Sequence, residues 1–339
     1  STAILANEKY QNSFHFLINQ IIGAGLGIIL LIIMLAVKKL FYQDPYFIYG
    51  LLLLSLGLLA LCFIMPAIGN TNRWIIFSGI RFQPSELAKI SLILFFAFYF
   101  SSKQDKIGEW QTLVLPLTVL GLFVLLILKE PDYGTALLIL TLSTVMLYIG
   151  GVKLKHLIYL GIASSAVFMF YLFQASYRIE RIFSFINPKQ DPLGAGFQAI
   201  QSKLAVGSGG LFGVSLGEST QKLFFLPNAH TDYIFAILGE ELGLIGTLSV
   251  LVLFVLLLWR GLLISWRAPD LFSQIAAAGL TLAIFIQALL NISIVLGLGP
   301  STGLPLPLIS FGRSSLLTTI LSVGILLHIS QRRRAFKKK

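Results

Sequence analysis

Residues 232–259 read DYIFAILGEELGLIGTLSVLVLFVLLLW. A helix that crosses a hydrocarbon core of about 30 Å needs about 20 mostly apolar residues, and this run is long enough. It contains no Lys or Arg, and its three acids, Asp232, Glu240 and Glu241, crowd into its first half. Strands of a membrane barrel read as short alternating segments, which this run does not. The stretch therefore predicts a membrane-spanning helix whose mouth and first turns carry acids.

The rest of the chain follows the same pattern. Of its 339 residues, 56% are hydrophobic and 12% are charged, and the mean hydropathy is +0.87. A soluble domain has about 25% charged residues. Apolar runs recur at about 18–37, 47–67, 86–101, 112–129, 134–150, 156–174, 232–259, 272–297 and 308–329. The fold class expected is all-α: a single integral membrane domain over 1–339 with nine transmembrane helices. The one cysteine, Cys62, excludes a disulfide framework and a Cys-rich metal site. The four histidines, His15, His156, His230 and His328, are scattered and form no metal-binding spacing.

The connections alternate in charge. Lys38 and Lys39, Lys103 and Lys106, Lys153 and Lys155, Arg260 and Arg267, and the tail 331–339 (QRRRAFKKK) all fall on one side of a nine-span chain. The positive-inside rule makes that side cytoplasmic. The tail reads as a topology signal and lipid-surface contact rather than a nucleic-acid patch. The N-terminal segment, 68–85, 130–133, the long loop 175–231 and 298–307 are then extracytoplasmic. An odd number of spans puts Ser1 outside, and the opening STAILANEKY has neither an initiator Met nor a signal pattern. A tenth, upstream helix is expected on that ground. The cytoplasmic set accounts for 14 of the 25 Lys and Arg residues. Topology gives no reason for the other 11, among them Arg81, Lys89, Lys222 and Arg313.

Four external segments hold the candidate chemistry. The loop 175–231 predicts short amphipathic helices around Arg178 and Arg181 and over Phe197–Val206, then a glycine-rich segment, GSGGLFGVSLG. That segment nearly matches a dinucleotide fingerprint but has Phe212 at the third glycine, and it lacks the G-K-[ST] of a phosphate loop. It reads as a flexible loop on the membrane surface. Asp232 follows His230 and Thr231 at a helix mouth, where it could simply cap the helix. Acids at or within a membrane boundary are costly, however, and point to function. Glu240, eight residues on, lies within one broad helical face of Asp232, whereas Glu241 points elsewhere. Gly239 and Gly243 are spaced to admit a close neighbouring helix. In RFQPSELAKI, Pro84 suits a first helical turn, Ser85 a cap, and Glu86 can pair with Lys89 at i+3. KEPDYG places Glu130 and Asp132 in a tight turn. GPSTGLPLPLISFGRSS is irregular and offers Ser310, Ser314, Ser315 and Arg313. Gln287 and Asn291, four apart, read as polar links between helices.

One isolated acid, several cations and a Pro/Gly-rich wall suit group transfer on a lipid-linked diphosphate. Arg and Lys hold phosphate, a carboxylate can take a hydroxyl proton, and the departing diphosphate needs cations or a metal ion.

RFQPSELAKI, KEPDYGTALLIL, AVGSGGLFGVSLGESTQKLFFLPNAHTDYIFAILGEELGLIG and GPSTGLPLPLISFGRSSLL, in that order, resemble the SEDS family of RodA, FtsW and SpoVE proteins over nearly the whole chain. The resemblance implies ten membrane helices and a peptidoglycan glycosyltransferase that polymerises lipid II on the outer face of the cytoplasmic membrane. It places the family's essential aspartate on Asp232. It also implies roles for Arg81, Glu86 and Lys89, a class B penicillin-binding protein as transpeptidase partner among other divisome or elongasome proteins, and a divalent cation (Mg or Mn). The motifs look closer to the FtsW division branch than to the RodA elongation branch. Arg313 departs from the pattern, where the family usually has glycine. The expected site is therefore Asp232 as base, with Arg81, Glu86, Lys89, Lys222, His230, Glu240, Ser310 and Arg313 about the substrate. The rival readings are a RodA-type elongation polymerase, a lipid II flippase and a non-catalytic scaffold for division proteins.

Overall fold

The structure is a computed structural model that describes residues 15–37, 41–66, 71–77, 80–173, 179, 183–188, 196–221, 226 and 229–336. Its helices are α1 (His15–Ala36), α2 (Pro45–Cys62), α3 (Pro84–Ser102), α4 (Trp110–Lys129), α5 (Tyr133–Ile149), α6 (Leu154–Phe173), α7 (Phe197–Ser208), α8 (Ile234–Trp266), α9 (Leu271–Val295) and α10 (Arg313–Phe336). Eight of them are long and apolar enough to span a membrane, and Tyr133–Ile149 is a shorter apolar helix. These match the nine runs seen in the sequence. The expected tenth helix, and the amphipathic helix around Arg178 and Arg181, lie outside the described residues.

One element was not expected. Strands β1 (Ile75–Phe77) and β2 (Ile80–Phe82) form a small antiparallel hairpin, with Ile76 opposite Arg81. It delivers the chain to α3.

The chain divides into two compact units. The larger comprises 26–166, 257–286 and 314–339. Its centre is α3, whose apolar window is 78% buried, the two charges at its start being paired with each other. Phe95, Phe96, Phe100 and Ile93 on α3, with Phe123 and Ile127 on α4, are fully enclosed. One end of this unit is closed by Tyr42, whose hydroxyl shares a 3.0 Å hydrogen bond with His328 Nδ1. Beside it, Gln43 donates to Asp270 and Ser273.

The second unit comprises 1–25, 167–256 and 287–313. It contains most of the long loop, the first part of α8 and the end of α9. In it α8 is not continuous. At Gly243 the backbone takes φ 64 and ψ −160, well outside helical values. Only glycine reaches this region without steric cost. The break would leave backbone groups on both sides unpaired, and the glycine-rich loop pairs them. Val214 and Ser215 N–H donate to the carbonyls of Glu240 and Glu241, while Leu244 and Ile245 N–H donate to the carbonyls of Gly210 and Leu211. Gly213, at φ 81, leaves no room for a Cβ against the Glu241 carbonyl. Of the two small residues of α8, Gly239 admits Val206 of the neighbouring helix α7, as the spacing suggested, whereas Gly243 receives the loop, which is docked rather than free.

Candidate active site

The turn His230–Tyr233 leads directly into α8, and Asp232 stands two residues ahead of its first turn, half-buried. Three consecutive backbone carbonyls of this turn are held by donors from distant sequence. Phe311 N–H donates to the His230 carbonyl at 3.0 Å. Ser310 Oγ donates to the Thr231 carbonyl at 2.5 Å. Asn291 Nδ2 donates to the Asp232 carbonyl at 2.7 Å. The His230 ring stacks on Phe16 at 4.4 Å between centroids, and Phe16 meets Phe311 edge-on.

The donors are themselves fixed. Residues 298–312 carry three prolines and three glycines, so the segment forms no helix of its own. Gln287 and Asn291, one turn apart on α9, share a face. Gln287 Nε2 holds the Pro305 carbonyl at 2.9 Å, and Asn291 Nδ2 also holds the Leu304 carbonyl at 2.7 Å. Ser310 Oγ in turn accepts from Leu306 N–H at 2.7 Å. Gln20 on α1 donates to the Ser310 carbonyl at 3.2 Å. These two amides, read from sequence as links between helices, instead bind loop carbonyls.

Glu240 is 2% exposed. Its carboxylate accepts from Ser219 Oγ, from Thr220 N–H and Oγ1 at 3.0 Å each, and from Gln221 N–H at 3.5 Å. A buried carboxylate needs such partners, and here they tie the strip 219–221 to α8. Glu240 is thus engaged with the protein's own loop. Arg313 donates to Asn19 Oδ1 at 3.0 Å. Lys222 lies outside the described residues.

The other unit holds a second polar cluster. Glu86 and Lys89 form a 2.8 Å ion pair with both side chains buried, as the i+3 spacing predicted. Thr318 Oγ1 donates to Glu86 at 2.9 Å. Gln83, not Ser85, is the residue that caps α3, and it does so without a side-chain bond. Ser85 lies inside the helix because Pro84 occupies its first position. Gln83 N–H donates to Ser314 Oγ at 3.0 Å, and Gln83 Nε2 donates to Asp132 Oδ2 at 3.0 Å. Asp132 caps α5 by accepting from Thr135 N–H and Oγ1. Glu130, next to it, is fully buried. Burial raises its pKa to about 8, reinforced by the Asp132 charge and opposed by the Cys62 thiol and by Arg73. Arg81 is exposed on β2.

Sequence reasoning did not single out Gln83, Asn291 or Thr318 as parts of these clusters. The available signal was a polar side chain inside an apolar run, which for Asn291 was noticed and assigned to the wrong kind of partner.

Among the described residues, no three His, Cys, Asp or Glu side chains come together in a way that could hold a metal ion. What the first cluster can do is hold one carboxylate at a helix mouth on an immobilised backbone. What the second can do is keep a buried charge pair at the start of α3.

Comparison with known proteins agrees across the chain. The FtsW/RodA/SpoVE family model, described as cell cycle protein, matches residues 1–335. Stage V sporulation protein E of Bacillus subtilis is 39% identical over 98% of this chain and 91% of its own. The probable peptidoglycan glycosyltransferase FtsW of Geobacter sulfurreducens is also 39% identical, over 98% and 90%. A chain from a peptidoglycan synthase complex that coordinates polymerization and crosslinking superposes with a TM-score of 0.80 at 29% identity, covering 98% of this chain and 94% of that one. The rod shape determining protein RodA of Thermus thermophilus superposes at 0.69 and 26% identity, over 98% and 92%.

Proposed function

This chain belongs to the FtsW/RodA/SpoVE family of cell cycle proteins, and from that premise we propose that it is a peptidoglycan glycosyltransferase that polymerises lipid II during cell division. Asp232 is the general base. Its carboxylate takes the proton from the acceptor sugar hydroxyl as that oxygen attacks the donor's anomeric carbon, and the undecaprenyl diphosphate leaves with the bonding pair. The reaction inverts the anomeric centre. A positioned carboxylate in this role contributes about 10²–10⁴ in rate.

The observation that carries the reading is the immobilised His230–Thr231–Asp232 backbone, with its three carbonyls held by Phe311, Ser310 and Asn291. Positioning of this kind is worth most when the reacting group must meet a large, mobile lipid substrate. Lys222, ten residues ahead of Asp232 in sequence, and Arg313 are assigned to diphosphate charge. A divalent cation belongs to this proposal only as a companion of the diphosphate, since Mg²⁺ binds through one or two carboxylates plus substrate phosphates. The Asp232 end of α8 is assigned to the outer face of the membrane, a reading supported by the basic connections on the opposite side. A class B penicillin-binding protein is the proposed partner, because the neighbour at TM-score 0.80 belongs to a complex that couples polymerization to crosslinking. The division branch is favoured over elongation by the relatives named FtsW.

The test is polymerisation of labelled lipid II by the purified protein with its transpeptidase. Glycan polymer from the unmodified protein and none from Asp232→Asn supports the assignment. Polymer from Asp232→Asn at the unmodified rate removes Asp232 as base. Translocation of lipid II in vesicles without polymer from any form replaces the enzyme by a flippase.

A further inference from the structure

The segment 204–217, LAVGSGGLFGVSLG, contains no charge, and it is bracketed by Lys203 and Glu218. In the structure it ends in a docked loop whose apolar side chains face outward. Phe212 is 79% exposed and Leu216 74%, with Leu211 beside them. An apolar tip of this kind is a liability in water, and large exposed apolar patches mark a surface that meets another phase or partner.

The fold indicates which. The loop is bonded across the break in α8, so Gly210 and Leu211 lie against Leu244 and Ile245. Those two residues, with Leu248, Val252 and Leu253, form the exposed apolar flank of a membrane-spanning helix. The loop tip therefore continues a surface that faces lipid. Irregular backbone close to a bilayer core needs partners for its polar groups. Here the loop N–H groups of Val214 and Ser215 and the carbonyls of Gly210 and Leu211 are all bonded to α8. Lys203, at the edge of the segment, is exposed and lays the end of its side chain against Gly297.

We infer that the glycine-rich loop 209–217 is a membrane-inserted wedge, with Leu211, Phe212 and Leu216 in the acyl layer at the edge of the leaflet that holds the break in α8. The occupant of this surface is bilayer lipid. The inference is independent of the catalytic assignment. It gives the strip 219–221, clamped by Glu240, a fixed height relative to the bilayer.

The test uses the single cysteine. Cys62 is replaced by Ala, and nitroxide labels are placed by Phe212→Cys and Leu216→Cys in the full chain, reconstituted in phosphatidylglycerol–phosphatidylethanolamine vesicles. Leu253→Cys on α8 is the lipid reference and Gln104→Cys in an exposed turn the aqueous one. Collision rates with oxygen and with a water-soluble nickel chelate are compared. The expected ratio of oxygen to nickel at 212 and 216 matches that at 253. A ratio matching that at 104 overturns the wedge. Protection from both reagents also overturns it, since a protein surface would then cover the loop. Two labelling sites guard against one variant failing to fold, and retention of the unmodified elution volume identifies the folded ones.

Discussion

Asn291 Nδ2 bonds two carbonyls at once, Asp232 O and Leu304 O, each at 2.7 Å. A single amide on α9 thereby joins the candidate base to the Pro/Gly-rich segment.

Removing that amide tests positioning. Asn291→Ala leaves two carbonyls without their donor at a site that is 2% exposed. Each unsatisfied buried group costs about 1–3 kcal/mol, and displacement of a catalytic group by about 1 Å can cost 10²-fold in rate. Lipid II polymerisation by Asn291→Ala is expected to fall by about 10–10²-fold, while Asn291→Gln recovers part of it. A rate equal to the unmodified protein's would show that Asp232 needs no such support.

The break in α8 makes Gly243 hard to replace. An added Cβ would meet Gly213 N at 2.5 Å and Leu211 backbone at 2.6 Å, on a residue at φ 64. Gly243→Ala is expected to destabilise by about 1–3 kcal/mol or more. Gly25 on α1 has open space around it, so Gly25→Ala is expected to be neutral or stabilising by about 0.5–1 kcal/mol. Thermal unfolding in detergent should lower the midpoint for the first and not the second.

The pair Glu86–Lys89 should behave as a buried charge pair. Removing one partner strands the other, at a cost of about 3–5 kcal/mol, whereas replacing both is often tolerated. Glu86→Gln and Lys89→Met should each unfold at a lower temperature than the double variant. Additive losses in a double-mutant cycle would refute the coupling.

Glu130 sets a pH dependence. Its folded pKa, about 8, lies above the ordinary value of 4.5. Between those values the folded state binds more protons than the unfolded state, so stability falls as pH rises. The unfolding midpoint of the unmodified protein should decline from pH 4.5 toward 8 by more than that of Glu130→Gln, which has no proton to lose. Parallel pH profiles for the two proteins would assign the buried carboxyl a normal pKa.

Much of this architecture can be read along the chain. The run 232–259 and its eight counterparts specify helices because apolar length alone decides which segments leave water, and helices satisfy their own backbone there. Spacing also identified the Glu86–Lys89 pair and the helix beginning at Phe197. Asp232 stands out because a lone acid at the mouth of such a run is costly.

Other features have no local signature. Gly243 lies in an apolar run that reads as one continuous helix and shares it with Gly239 and Gly246, so nothing nearby marks it, among the three, as the break. The break exists because the loop 210–215 can pair the groups it frees. The role of Asn291 depends on a carbonyl 59 residues away, and that of Ser310 on one 79 residues away. The burial of Glu130 depends on which helices close over it. Sequence alone determined which segments become membrane helices and where the isolated acid stands, since both follow from transfer out of water. Only the tertiary structure decided which polar groups meet, because a hydrogen bond is satisfied by position and not by composition.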